Sequence, residues 1–104
     1  MTEEQEKRIV VRIDPDLADL IPGFLENRRK DITNILAALE KKDHETIRVL
    51  GHSMKGCGSG YGFDEITELG RALEQAAKNQ DEEDIKGKTA ELSAYLDSLE
   101  IVYE

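Results

Sequence analysis

Tryptophan is absent from the sequence, cysteine occurs once, proline twice, and aromatic side chains make up only 5% of the residues. A lone thiol excludes an internal disulfide framework and favours a reducing, cytoplasmic setting. So few aromatics and prolines suit a helical bundle better than a β-sandwich. No apolar run approaches the roughly 18 residues of a membrane span, and Met1-Thr-Glu-Glu-Gln is not the start of a signal peptide. Positive charge is also scarce. Lys and Arg number 14 against 23 Asp and Glu, a net charge of −9 that disfavours both nucleic acid and an anionic membrane surface. The 104 residues suffice for one domain with one core, but are few for an enzyme with its own substrate cleft.

What is present is helical periodicity. Residues 1–13 read as a loosely ordered or extended lead-in, in which Ile9-Val-Val-Arg-Ile13 is β-branched but has no evident partner strand. Residues 14–104 read as the bundle. Asp14-Pro15 resembles an N-cap followed by proline at the first helical position. Leu17, Leu20, Ile21, Phe24 and Leu25 keep helical spacing, continued by Ile32, Ile35, Leu36 and Leu39. Pro22-Gly23 interrupts the run and predicts a short helix, a break, and then a longer helix to about Lys41.

Asp43 is the expected cap of a central helix running to about Gly60, with Gly60 and Gly62 supplying the turn that follows. Ile66, Leu69, Leu73, Ala76 and Ala77 mark a third helix ending near Asn79, with Asp64 and Glu65 in its first turn. Asp81 caps a fourth, whose stripe is Ile85, Leu92, Leu96 and Leu99, and Ile101-Val-Tyr103 trails off its end. The expected fold is all-α, an antiparallel up-down four-helix bundle with a short extra N-terminal helix.

The central helix holds the chemistry. Ile47, Leu50, Met54 and Tyr61 fall within roughly 60° of one another at about 100° per residue, one buried stripe. His52 falls at about 140°, nearly opposite, and therefore faces solvent. Arg48, Lys55, Gly56 and Ser59 lie on the same outer side. Gly51 and Gly58 face the core, where a bare backbone lets a neighbouring helix come close, but no internal packing explains Gly56. An interior glycine costs about 1 kcal/mol relative to alanine, so something outside must approach the imidazole over it.

His52-Ser-Met-Lys-Gly56, the small-residue run after it and Gly62-Phe63 resemble the histidine-containing phosphotransfer (HPt) domain, whose pattern is His-x-x-Lys-Gly with a further glycine ten residues after the histidine. Residues 17–28 and 73–77 are similar to bacterial members too, so the resemblance spans about residues 14–100. Gly60 departs from it, standing where many members carry a helix-favouring or polar residue. The resemblance implies a phosphorelay carrier whose His52 accepts a phosphoryl group from a receiver-domain phosphoaspartate and passes it to another receiver. On the helix face, Lys55 at i+3 is expected to reach the phosphoryl group, with Arg48 at i−4 assisting, and Val49, Gly56 and Ser59 to belong to the receiver-docking patch around His52. Implied partners are response-regulator receivers and hybrid sensor histidine kinases. The chain itself is expected to bind no cofactor or metal, the receiver contributing Mg²⁺. A cytoplasmic monomer is expected, and Met1 with its polar start favours a freestanding protein over the end of a larger kinase.

Other classes fit the same residues. A non-carrying interaction module would sequester a receiver or kinase, and a kinase-phosphorylated substrate domain would take phosphate from an ATP-binding domain. No glycine-rich nucleotide motif is present and 104 residues leave no room for an ATP-binding domain, so autophosphorylation is excluded on size. Met54 and Tyr61 read as core and Cys57 as a small packing residue. His44 reads as an exposed residue without a lysine–glycine companion. Eight helical residues place it about 12 Å from His52, too far for a shared metal. The acidic run 81–84 reads as cap and dipole chemistry, not a calcium loop.

Overall fold

The computed structural model describes residues 8–104. Four helices form where apolar spacing predicts them: α1 (Ile21–Glu40), α2 (His44–Cys57), α3 (Asp64–Lys78) and α4 (Glu82–Ser98). Their inner faces close one core, with Ile21, Phe24 and Ile35 of α1, Ile47 and Met54 of α2, Ile66 and Leu73 of α3, and Ile85 and Leu92 of α4 all buried. The loose start expected for residues 1–7 lies outside the described residues.

Two aspartates set the helix order. Asp43 accepts a hydrogen bond from the Thr46 amide at 3.1 Å and starts α2, while its own amide donates to the Ala38 carbonyl at 2.8 Å and closes α1. Asp81 repeats the device, accepting from the Asp84 amide at 3.1 Å and donating to the Ala76 carbonyl at 2.9 Å. Each connection is therefore a helix stop and a helix start sharing one residue. The residues just before, Lys42 (φ 57°) and Gln80 (φ 55°), take the left-handed conformation that such a stop requires.

Several boundaries differ from the sequence expectation. Pro22 and Gly23 do not break a helix but sit in the first turn of α1, where a missing amide costs nothing. The short N-terminal helix is a single 3₁₀ turn, Pro15–Leu17, capped by Asp14, whose carboxylate accepts from the Asp16 amide at 2.9 Å. Helix α2 stops at Cys57 instead of Gly60, and a second 3₁₀ turn, Ser59–Tyr61, follows. Gly62 (φ 91°) then reverses the chain in a conformation that favours glycine. Phe24 holds this corner onto α1, its ring 4.5 Å from Tyr61 and 5.4 Å from Phe63.

The largest correction concerns the two ends. Strand β1 (Ile9–Ile13) has a partner after all: it pairs in parallel with β2 (Leu99–Tyr103), Ile9 opposite Leu99 and Ile13 opposite Tyr103. β2 leaves α4 without a loop, Leu99 already being extended (φ −68°, ψ 136°). The segment expected to trail away is thus half of a two-stranded sheet.

Candidate functional site

The site begins with a helix crossing. A methyl group built on Gly51 would lie 2.6 Å from the Glu74 amide nitrogen and 2.8 Å from the Gly70 carbonyl oxygen, and one on Gly70 would meet the Gly51 carbonyl at 2.7 Å. Backbone meets backbone here, so α2 and α3 approach as closely as two glycines permit. Gly58 extends the contact toward Thr67. The expectation that Gly51 and Gly58 admit a neighbouring helix therefore holds.

The residue after Gly51 is His52. Its side chain is 65% exposed, and its Nδ1 lies 3.0 Å from Oε2 of Glu74. The other Glu74 oxygen, Oε1, accepts from Lys55 Nζ at 2.8 Å. Glu74 is buried, with a side chain only 9% exposed, so one sunken carboxylate is divided between two groups one turn apart on α2. The Lys55 hydrogen bond, opposed by burial and assisted by the one to His52, holds its pKa down at about 2.

An ionised carboxylate can only accept. The hydrogen in the His52–Glu74 bond must therefore sit on Nδ1, which leaves the Nε2 lone pair of the neutral ring directed away from Glu74. Lys55 cancels the buried charge, and the ring is held by an outward-facing hinge of fixed tautomer. Such a nitrogen can attack an electrophile brought by another molecule.

Residues 19–101 match the family model of the Hpt domain. The chain belongs to the Hpt domain family. Hpt domains are phosphotransfer modules of His–Asp phosphorelays rather than enzymes, and they work with response-regulator receivers and kinases. Comparison with curated proteins and with solved structures gave no match. Among the described residues of this Hpt domain, no helix is long and apolar enough to cross a membrane.

Not all the residues singled out from sequence meet at His52. Val49, one turn before it, is exposed, and so is Gly56, one turn after. A methyl group on Gly56 would touch nothing within 4 Å, and its φ is not positive, so neither packing nor backbone requires glycine there. Gly23, Gly60 and Gly87 are equally open, so position beside His52, not space, is what sets Gly56 apart. Arg48 is bound by Glu45, whose Oε1 accepts from Nε at 3.0 Å. Ser59 lies beyond the end of α2 and is tied to α3, its hydroxyl 3.0 Å and its amide 2.8 Å from Thr67 Oγ1.

His44 is not exposed as expected. It is largely buried, with Nε2 3.0 Å from Glu82 Oε2, and it helps fasten the start of α2 to that of α4. Cys57 is a packing residue, half-buried, and Sγ accepts from Arg28 Nη1 at 3.2 Å.

Glu74 is the residue that sequence reasoning missed. Its signal was a charge at the border of the α3 stripe, one turn after Gly70 and next to Leu73. The carboxylate also has a consequence for stability. Its folded pKa of about 2 lies below the ordinary 4.5. Its contribution is therefore complete above about pH 4.5 and is lost as pH falls through 2. Acid titrations followed by circular dichroism should show Glu74→Gln less pH-dependent than the parent between those values. Superimposable acid limbs would contradict the assigned pairing.

Proposed function

We propose that the protein is a phosphorelay carrier in which Nε2 of His52 accepts a phosphoryl group from a receiver phosphoaspartate and delivers it to another receiver. The single observation that supports this most is the exposed ring whose Nδ1 is engaged by an ionised, buried Glu74. In the transfer, Nε2 forms a bond to phosphorus as the phosphorus–oxygen bond to the aspartate breaks, releasing a carboxylate. The proton on Nδ1 stays in place, and the positive charge that develops on the ring faces Glu74. That charge keeps the phosphoramidate reactive enough to pass on.

In this reading Lys55 and, more distantly, Arg48 balance the negative charge of the phosphoryl group. The receiver supplies Mg²⁺ and most of the stabilisation of the transferring group. Val49, Gly56 and Ser59 belong to the surface it covers. The helices form an antiparallel up-down bundle, which the tight connections at residues 41–43 and 79–81 favour, and the protein acts as a cytoplasmic monomer.

Incubation with a phosphorylated receiver should load the protein with acid-labile, alkali-stable phosphate. No uptake from any receiver of the source cell would reject the carrier in favour of a sequestering module, and uptake only from ATP and a kinase would make it a substrate domain. A second outcome is expected for Gly56→Glu. The new carboxylate would stand on the docking face, where a misplaced charge costs several kcal/mol, so transfer should fall roughly 100-fold or more. Helicity and melting temperature should not fall, because glutamate is the better helix former. Equal transfer rates for variant and parent would remove Gly56 from the interface.

A further inference from the structure

A groove of about 560 Å³ lies between β1, the start of α3 and the end of α4, and no residue of α2 lines it. Its apolar floor is made by Ile9, Val11 and Ala94 with the ring of Tyr95. The floor exists because β1 runs off the bundle: on its inward side Ile13 is buried at 2% exposure, Val11 is half-buried, and Ile9 is 39% exposed. Asp64, Glu65 and Glu91 line the same groove. Glu91 has Lys88 at 3.4 Å, whereas Asp64 and Glu65 form no ion pair among the described residues.

Tyr95 supplies the second observation. It is only 7% exposed, and what remains of its surface lines the groove. Burial, then Glu65 and Asp64, push its pKa up to about 12, so the hydroxyl stays neutral beside those carboxylates. A neutral phenol flanked by carboxylates over an apolar floor is complementary to a long cationic side chain, with its stem on the floor and its head among the oxygens. We propose that this groove docks a basic segment of a partner protein, an arginine or lysine flanked by apolar residues, at a place separate from His52.

Charge argues against the other occupants. Residues 1–7 carry Glu3, Glu4 and Glu6 against one lysine, Lys7, and a second copy brings the same net −9. Either would set carboxylates against carboxylates. A basic partner segment reverses the sign.

The test uses the full chain, ¹⁵N-labelled, and a blocked pentapeptide Leu-Arg-Val-Arg-Leu, with a control in which citrulline replaces both arginines. Amide shifts should cluster at Val11, Glu65, Ala94 and Tyr95, and the citrulline peptide should bind at least roughly tenfold more weakly. The triple variant Asp64→Asn, Glu65→Gln, Glu91→Gln should lose a similar factor, since exposed charge pairs contribute modestly one by one. Tyr95→Phe, which keeps the floor, should weaken binding roughly fivefold. Phosphate uptake on His52 should be unchanged in these variants. Equal affinity for both peptides, shifts scattered over the acidic surface or centred on α2, or groove shifts that change on dilution without peptide would each overturn the proposal, the last by making a second copy the occupant.

Discussion

Replacing His52 by glutamine is expected to abolish phosphate uptake altogether. Lys55 still pairs with Glu74 at 2.8 Å, so the buried carboxylate keeps a partner and the variant should fold, with stability within about 1 kcal/mol of the parent. What it lacks is a nitrogen lone pair facing solvent. The chain has two histidines, and the other offers no rescue. His44 is only 16% exposed, with Nε2 committed to Glu82. Label in the variant should therefore sit at background after any incubation with a phosphorylated receiver. A variant that still takes up acid-labile phosphate would place the acceptor elsewhere and end the assignment.

The second large effect concerns the crossing beneath that histidine. Gly51→Leu would push a side chain into a space where even a methyl group lies 2.6 Å from the Glu74 backbone. A flexible side chain could turn aside, but two helix backbones cannot, so α2 and α3 must separate. The expected cost is at least about 3 kcal/mol, a large part of the stability of a small domain. That corresponds to a melting temperature roughly 15 °C lower. Separation would also carry Glu74 away from His52 and Lys55, so surviving folded protein should transfer slowly. A melting temperature within a few degrees of the parent would show that the helices do not meet at Gly51.

These two positions also show what local sequence could convey. The outer face of α2 was legible because it depends on one helix alone. Ile47 and Met54 had to be buried, so His52 had to point out, and its exposure follows from angular arithmetic. Gly51 and Gly58 could be assigned to a helix contact for the same reason. Glu74 could not be paired with His52 in this way. Its role depends on how far α3 is advanced along α2, and no periodicity within either helix encodes that offset.

The strand pair was hidden by a related difficulty. Ile9-Val-Val-Arg-Ile13 reads as a short β-branched run without a partner, while Leu99 counts in the helical stripe of α4 and Ile101-Val-Tyr103 as its trailing end. The pairing spans about ninety residues and needs the bundle to bring the ends together. The misplaced break at Pro22 has a local cause. Proline is compatible with either a kink or a first turn, and Leu20 as helix cap makes no side-chain hydrogen bond that would have announced a start there. Helical angles place Arg48 on the outer face of α2, yet Glu45 binds it, and Ser59 falls past the end of the helix, where Thr67 ties it to α3.

The central claim is that Glu74 holds Nδ1 of His52 and leaves Nε2 to react. Phosphorylated protein carrying ¹⁵N-labelled histidine would report the bonded nitrogen directly through its phosphorus coupling. Phosphate found on Nε2 of His52, with Nδ1 still protonated, is the predicted result, and phosphate on Nδ1 would contradict it.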